Sequence, residues 1–475
     1  MADDPQIAEN QRLKAELVRI SAQIEALAKE NAALKLQIER LQRQLGQNSS
    51  NSNKPPSSDG PAQRPRGGGP KQGSKEKKRK RGGQKGHKGS RRELLAPDQV
   101  DAFVDHFPST CENCHGVLPR TRDEQAYRFQ ITELPPIVPH VTEHRCHAVT
   151  CPGCRYTTKA SHKTMPTTAF GPRLTALVGL FTGVYHLSRR RAQELMRDVL
   201  GVTISLGALS NLESRVSDAV VPAVDDAWHR ARDAEVKHTD GTGWLQAGKP
   251  LSLWTIATTA VTVYRIVANG AKAALEPLFG ELKGILVSDR AAALNFWAME
   301  NRQVCWAHLL RKFVSFSERD GPAGGLGRDL LNYTGLLFEY WRDRRDQRIS
   351  EETFQSWMAP VRRQLEAALE RGRTMDIDGV SGSCDNMLAH REALWTFVER
   401  PDVEPTNNHG ERELRAFVLW RKRSFGTQSE RGNLFAERIM TVAHTARKQG
   451  THVLDFLTAC CSGAKPSLFN SEDRP

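Results

Sequence analysis

Three acids and two cysteine pairs are the residues of this 475-residue chain whose types and spacing could do chemistry. Asp289 ends the short apolar run Gly284-Ile285-Leu286-Val287-Ser288, the mark of a buried central strand. Asp240 follows Val236-Lys237-His238-Thr239 and is read as leading into a polar turn. Glu411 lies in Thr406-Asn407-Asn408-His409-Gly410-Glu411-Arg412-Glu413, where Asn407 or Asn408 can cap a helix that carries Glu411 in its first turn. Hard cations prefer carboxylate oxygens. Two of them, about 3.5–4 Å apart, activate the attacking oxygen of a phosphodiester displacement and stabilise the leaving one. Asp240, Asp289 and Glu411 are therefore the expected catalytic residues and the ligands of two hard divalent cations. The plain alternative is that each is a solvated acid, with Asp240 merely opening a turn.

The second chemistry is thiolate chemistry. Cys111-Glu-Asn-Cys114 and Cys151-Pro-Gly-Cys154 stand 36 residues apart, with β-like runs at Tyr127–Leu134 and Ile137–Cys146 between them. Two CxxC knuckles joined by a small sheet supply four thiolates for a tetrahedral structural Zn²⁺ site. A redox pair is the competing reading, and His144, Cys146 and His147 are read as bystanders.

Elements of definite order must position the acids. After Asp240, Ser252–Ala260 and Val261–Ala268 are rich in Thr, Val, Ile and aromatic residues, as strands are. A helix over about Lys272–Leu282, the Asp289 strand, and a strand at Gln303-Val304-Cys305-Trp306 follow, the last leading into a helix with Arg311 and Lys312. Three antiparallel strands, a helix, a parallel strand and one more strand give the order of an RNase H-like sheet, with Asp240 and Asp289 on neighbouring central strands. Upstream, residues from about Pro172 to Asp233 read as helical. Ser188–Leu200, a Gly201-Val202-Thr203 turn and Ser205–Val220 fit either a helix-turn-helix or an ordinary helical hairpin. Arg189 and Arg190 open the first of these helices and could meet a DNA backbone.

The N-terminal part points to a dimer and to a polyanion. Leu13, Ile20, Leu27, Leu34 and Leu41 form one heptad series and Leu17, Ile24, Asn31, Ile38 and Leu45 the other. Leu at one position, Ile and one Asn at the other, is the pattern of a parallel two-stranded zipper. A trimer also fits, and so does a lone amphipathic helix packed on its own domain. From Lys54 to Arg92 the chain holds fourteen Lys/Arg against the two acids Asp59 and Glu76, so this segment carries nearly all of the net charge of +13. A polar, Pro- and Gly-rich arm of this kind contacts phosphates, Lys77, Lys78, Arg79, Lys80 and Arg81 foremost, or else is a solvated linker. No apolar residues are interleaved to favour a membrane surface. No secretory signal or membrane span is read, so a cytoplasmic protein is expected.

Taken in order, several segments resemble the insertion-sequence transposases of the IS66 family. They are Gly46-Gln47-Asn48-Ser49-Ser50-Asn51-Ser52, Gly82-Gly83-Gln84-Lys85-Gly86-His87, Val287-Ser288-Asp289-Arg290, Cys305-Trp306-Ala307-His308 through Phe313, Pro405-Thr406-Asn407-Asn408, Glu411-Arg412 and Phe425-Gly426-Thr427. The resemblance covers nearly the whole chain. It implies a DDE-type transposase with Asp240, Asp289 and Glu411 as the triad, acting with Mg²⁺ or Mn²⁺ on the terminal inverted repeats of its element, together with accessory proteins of that element. It also implies that Val314–Val403 is a helical insertion. Two departures are expected to matter. Gly241 stands where the family has a Glu, which would loosen the end of the Asp240 strand, and Ala293-Leu294 stands where the family often has an aromatic residue after Asp289-Arg290.

The expected architecture is a multidomain α+β chain. It comprises a leucine-zipper coiled coil over 7–46, a basic arm over 47–92, a zinc-ribbon-like module over 93–165 and a helical DNA-binding segment over 170–233. An RNase H-like catalytic domain over 234–445, with its insertion at about 314–403, and a tail over 446–475 complete it. The expected reaction is hydrolysis at the transposon end to free a 3′-OH, then attack of that 3′-OH on target DNA, by a homodimer or higher oligomer. Arg311, Lys312, Arg421 and Lys422 are expected to hold phosphates. The alternative is a catalytically decayed copy that occupies transposon ends as a repressor.

Overall fold

The computed structural model describes residues 93–160 and 168–469, positions 51–52 and, in part, 16–48. The basic arm, with Lys77, Lys78, Arg79, Lys80 and Arg81, lies outside the described residues. The described positions between Glu16 and Leu45 are helical. Among the seam residues, Ile20, Ile24, Leu27, Leu34, Ile38, Leu41 and Leu45 are exposed on it.

The chain divides into two units, residues 67–143 with 198–202, and the remainder. In the first, the described chain is largely irregular. Thr110 pairs with Val117 across the first cysteine knuckle, an exposed Arg122–Asp105 ion pair of 2.8 Å ties two loops, and the Gln130 side chain bonds the Leu95 N–H and carbonyl. The expected strands Tyr127–Leu134 and Ile137–Cys146 do not form, and no strand precedes Ala148 among the described residues. The reason is burial. Tyr127, Phe129, Ile131, Leu134, Val138 and Val141 all stay exposed, and β-propensity measures fit to a half-buried pleated surface rather than a backbone preference of its own.

The larger unit contains a two-stranded hairpin, β1 (Ala148–Thr150) with β2 (Thr157–Lys159). Helices follow as the sequence suggests: α1 (Pro172–Gly179), α2 (Arg189–Leu200), α3 (Leu206–Ala219) and α4 (Val221–Asp233). Gly201 takes a left-handed φ of 64° after α2, and the Ser205 hydroxyl caps α3 by accepting from the Ala208 N–H at 3.1 Å. Among the described residues no helix is long and apolar enough to cross a membrane.

A mixed sheet then forms from β3 (Val236–Gln246), β4 (Lys249–Ala257), β5 (Thr262–Val267), β6 (Ile285–Ser288) and β7 (Arg302–Val304), in the order β5-β4-β3-β6-β7. The first three are antiparallel; β6 and β7 run parallel to β3. Helix α5 (Lys272–Phe279) makes the crossover from β5 to β6. One expectation is corrected here. Asp240 does not lead into a turn, because β3 runs on through Gly241 to Gln246 and reverses only at Ala247 and Gly248, with φ of 49° and 80°. Two consecutive positive φ values make a primed hairpin turn, whose twist matches that of the flanking strands.

Strand β6 is buried along its length, and its side chains alternate between two cores. Leu286 joins the core formed with α1, α3, α4 and the last helices, α11 (Asn408–Ser424), α12 (Glu430–Lys448) and α13 (Val453–Cys461). Ile285 and Val287 join a second core, built by α6 (Trp306–Ser317) and the insertion. The insertion is helical, as expected: α7 (Gly321–Arg345), α8 (Glu351–Arg373), α9 (Ser381–Leu388) and α10 (Thr396–Glu399). The segment read as a tail also packs, burying Phe456, Leu457, Leu468 and Phe469 in the first core.

Gly241 has a packing explanation. It pairs directly with Trp254 of β4, and a Cβ at Gly241 would lie 2.6 Å from the indole ring. The strand is thus closed over by an aromatic ring, not loosened. Gly241→Glu should force that ring aside and lower unfolding stability by about 1–3 kcal/mol in a urea titration. Combined with Trp254→Ala it should cost less than the sum of the two single changes; full additivity would show that the ring and residue 241 do not compete for space.

Candidate functional site

Register brings the first two acids together. The parallel pairing of β3 with β6 sets Val236 beside Ile285, Lys237 beside Leu286 and His238 beside Val287. Two further residues along each chain place Asp240 level with Asp289, and the period of two puts both on the same face as His238 and Val287. Each acid is steadied locally. Asp240 Oδ1 accepts the Gly241 N–H at 2.8 Å, and Asp289 Oδ1 accepts the Ala291 N–H at 2.9 Å. The buried Arg302 guanidinium donates to the Asp289 carbonyl at 3.1 Å and to Ser288 Oγ at 3.2 Å, which fixes the strand end.

The third acid arrives on α11, in its first turn as expected. Glu411 Oε2 lies 3.6 Å from Arg311 Nη2, and Oε1 lies 3.5 Å from His308 Nδ1. Both of the last two atoms are buried and without a hydrogen-bond partner. The electrostatics join the three acids. Burial, then the charges of Asp289 and Glu411, push the Asp240 carboxyl up to about 7, against the pull of the Gly241 N–H and Arg311. Asp240 thus feels the charge of both other acids, although among the described residues the three do not bring one oxygen each within 4.8 Å of one another.

Asn407 holds this arrangement. It sits at the N-cap of α11, yet its side chain does not cap the helix. Its Nδ2 donates to the Thr239 carbonyl at 2.7 Å, its Oδ1 faces His238 Nδ1 at 3.1 Å, and its backbone N–H donates to Cys305 Sγ at 3.1 Å. The strand of Asp240, the end of β7 and the helix of Glu411 therefore meet at one fully buried residue. Asn407 was expected only as a helix cap, and Cys305 and His308 had no individual role. The signal available was the three-residue spacing of Cys305 and His308, which puts them on one face of a first helical turn.

The expected phosphate contacts divide. Arg311 lies at the acids. Lys312, one residue on, is half-buried with its amine over the Phe316 ring. Arg190 and Lys422 are exposed. Arg189 pairs with Glu213 at 2.5 Å, tying α2 to α3. Arg421 donates to Thr242 Oγ1 at 3.1 Å and to the Gly243 carbonyl, tying α11 to β3.

The two cysteine knuckles, each taken alone, have the same backbone form. The carbonyl of Cys111 accepts from His115 N–H, and that of Cys151 from Arg155 N–H. His115 and Arg155 are left-handed, with φ of 58° and 56°. The N–H groups of Cys114 and Asn113 in one knuckle, and of Cys154 and Gly153 in the other, draw the first thiol below its ordinary range. Backbone donors turned toward a sulfur favour a thiolate, the form that binds zinc.

The family model of the Transposase IS66 family matches residues 167–434, more than half of the chain, and the chain belongs to that family. Residues 2–93 match a family of unknown function, DUF6444. Two proteins of Sinorhizobium fredii (strain NBRC 101917 / NGR234) are similar over shorter stretches. Uncharacterized protein y4qI is 26% identical over 164 residues, 32% of this chain and 29% of that protein. Uncharacterized protein y4jO is 27% identical over 180 residues, 36% of this chain and 51% of that protein. The match thus spans about half or less of each relative.

Two outcomes test this geometry. The folded state holds Asp240 protonated up to about 7, whereas an unfolded Asp ionises near its ordinary value of about 4. That contribution to stability is complete below about pH 4 and is lost as pH rises through 7. Without divalent cations, Asp240→Asn should therefore be more stable than the parent at pH 8, by about 1–3 kcal/mol, with the gap closing toward pH 4. Asn407→Ala strips partners from buried groups on two elements and should cost about 2–4 kcal/mol. A cost below about 1 kcal/mol in chemical denaturation would contradict its place as the junction.

Proposed function

We propose that this transposase binds the terminal inverted repeats of an insertion sequence and catalyses divalent-metal-dependent DNA strand cleavage and strand transfer, with Asp240, Asp289 and Glu411 as the catalytic acids. The observation that carries the reading is the parallel register of β3 and β6, which levels Asp240 with Asp289, joined to the charge of Glu411 felt at Asp240. The strand order with its antiparallel half and parallel half supports an RNase H-like catalytic domain.

The three carboxylates would hold Mg²⁺ or Mn²⁺, which, when bound, lowers the barrier by stabilising charge on the attacking and leaving oxygens. The chain's own residues do the remaining work. Asp240, buried beside two other acids, is protonated or ionised according to the charge brought to the site. Arg311 reaches both Glu411 and Asp240 and would orient a phosphate against the acids. Arg302 and Asn407 keep the acid-bearing elements in register. Arg190, Lys422 and the Lys77–Arg81 run would supply phosphate contacts farther out, where charge fixes position and affinity but reads no bases.

The remaining parts of the reading have separate supports. The exposed seam from Ile20 to Leu45 supports pairing of two chains through a zipper. The matched knuckles support Cys111, Cys114, Cys151 and Cys154 as thiolate ligands of structural zinc. Accessory proteins of the same element and a cytoplasmic location complete the proposal.

The experiment is strand cleavage on a labelled duplex that carries the element's own terminal repeat. The parent should nick at the repeat end with Mg²⁺ or Mn²⁺ and not with EDTA. Asp289→Ala should lose nicking by at least a thousandfold while binding the duplex as tightly as the parent. Tight binding by the parent without cleavage in either metal, with accessory proteins present, would establish the repressor reading instead.

A further inference from the structure

Beside the acids, and sharing Glu411 with them, lies a second donor set. Among the described residues, Cys305, His308 and Glu411 are the group of His, Cys, Asp and Glu whose ligand atoms all fall within 4.8 Å of one another. Three elements deliver them: the end of β7, the first turn of α6 and the first turn of α11. Two of the three atoms are otherwise unexplained. His308 Nδ1 and Glu411 Oε1 are buried, face each other at 3.5 Å and make no hydrogen bond. Buried polar atoms are satisfied in the great majority of cases, so an orphan pair asks for a partner that lies between them. Cys305 is fully buried, and its sulfur already accepts one N–H, from Asn407, which holds it in place.

We propose that Cys305 Sγ, His308 Nδ1 and Glu411 Oε1 form a binding site for a thiophilic divalent cation, of which Zn²⁺ is the type, and that its occupation withdraws Glu411 from the hard-cation site. The donor chemistry selects the ion. Sulfur and imidazole suit zinc and cobalt, whereas magnesium and manganese take oxygen ligands. The size also fits. Zinc bonds of roughly 2.0–2.3 Å to N, O and S set ligand-to-ligand distances of roughly 3.3–3.6 Å in a tetrahedron. Separations up to 4.8 Å therefore close with movements under about 1 Å. Coordination releases the thiol proton to solvent, and three protein ligands leave a fourth position for water. The consequence is antagonism. One oxygen of Glu411 cannot serve both sites, so zinc should inhibit whatever magnesium or manganese supports. That consequence rests on Glu411 as a catalytic acid, but the binding site itself does not.

The test separates the two. Full-length protein, freed of metal by chelation and given one equivalent of Zn²⁺ for the four-cysteine knuckles, is titrated with Co²⁺. The parent should develop a thiolate-to-cobalt charge-transfer band that saturates near one equivalent. Cys305→Ser, which keeps an acceptor for the Asn407 N–H, should lose the band, and His308→Gln should weaken cobalt binding at least tenfold. Circular dichroism establishes that each variant is folded. A band absent from the parent, or retained in Cys305→Ser and lost in Cys111→Ser, overturns the site. In a second arm, micromolar Zn²⁺ should slow Mn²⁺-supported nicking at least tenfold in the parent and much less in Cys305→Ser, each compared with its own zinc-free rate. Equal zinc sensitivity would overturn the antagonism. A parent that shows the band but cuts no DNA would sink the catalytic reading and leave the cation site standing.

Discussion

The acid-bearing elements depend on one buried amide. Asn407 is the point where β3, the end of β7 and α11 touch, and its side chain works because it carries a donor and an acceptor on the same short stem. The donor goes to the Thr239 carbonyl and the acceptor faces His238. An Asp there would set a charged oxygen against that carbonyl, and a buried charge facing an acceptor has no compensation. The peptide group of Asn407 extends the junction. Its N–H donates to Cys305 and its carbonyl accepts the N–H of Glu411 at 3.1 Å. Because the amide bonds at Thr239, the neighbour of Asp240, and the backbone bonds at Glu411, the separation of two acids is set by one rigid residue.

A second anchor sits six residues farther on. Glu413 points away from the acids into a polar cluster between α11, α12 and β5. His444 Nδ1 lies 2.5 Å from its carboxylate, Lys448 Nζ lies 3.3 Å away, and the Tyr264 hydroxyl donates to its backbone carbonyl. Burial pushes this carboxyl up, yet the His444 and Lys448 contacts overcome it and hold the group at about 2. The two acids of Glu411-Arg412-Glu413 therefore have opposite employments, settled by their places about 200° apart around the helix. One faces α6 with a buried, unsatisfied oxygen, and the other faces α12 and β5, ionised and fully engaged. Together Asn407 and Glu413 fix both the position and the rotation of α11.

Much of the sheet and little of the site's support could be read from the sequence. The apolar run before Asp289, the β-branched stretches after Ser252 and the Gly and Ser at helix ends are local signals, and the structure follows them to within a few residues. The three acids were singled out by local position, Asp289 after an apolar run and Glu411 in a first helical turn, and by the family resemblance, whereas Asp240 was placed at a strand end and lies within β3. Long-range partners left no such trace. Arg421 was expected at a phosphate by its charge, and nothing local announced its bonds to Thr242 and Gly243, 179 and 178 positions away in the chain. Gly241 looked like a defect because its partner Trp254 is visible only once β3 and β4 are paired. The runs at Tyr127–Leu134 and Ile137–Cys146 failed for the converse reason. Their composition suits strands, but the described structure buries no face of them.

The helical insertion raises a physical question, since it separates β7 from α11 yet the acids on either side keep their arrangement. The answer lies in where it leaves and returns. Trp306 N–H donates to the Pro405 carbonyl at 2.9 Å, so the chain departs and re-enters at one hydrogen bond. Near that point the Trp306 indole N–H and the Gln303 amide donate to the Leu394 carbonyl, Thr396 Oγ1 donates to the Arg302 carbonyl, and the Phe397 N–H donates to Gln303 Oε1. The excursion is thus stitched back onto β7, not left to hang from α11. It also brings its own core, in which Leu326, Leu330, Phe354, Leu365 and Trp395 are almost wholly buried. Loop closure costs only about 0.6 kcal/mol per doubling of length, and an insertion that folds against itself escapes most of that. What the sheet supplies in return is one face of β6, so Ile285 and Val287 pack on the insertion while Asp289, two residues on, is left at its edge. A change in the packing of that core acts on the acid through the strand that carries it.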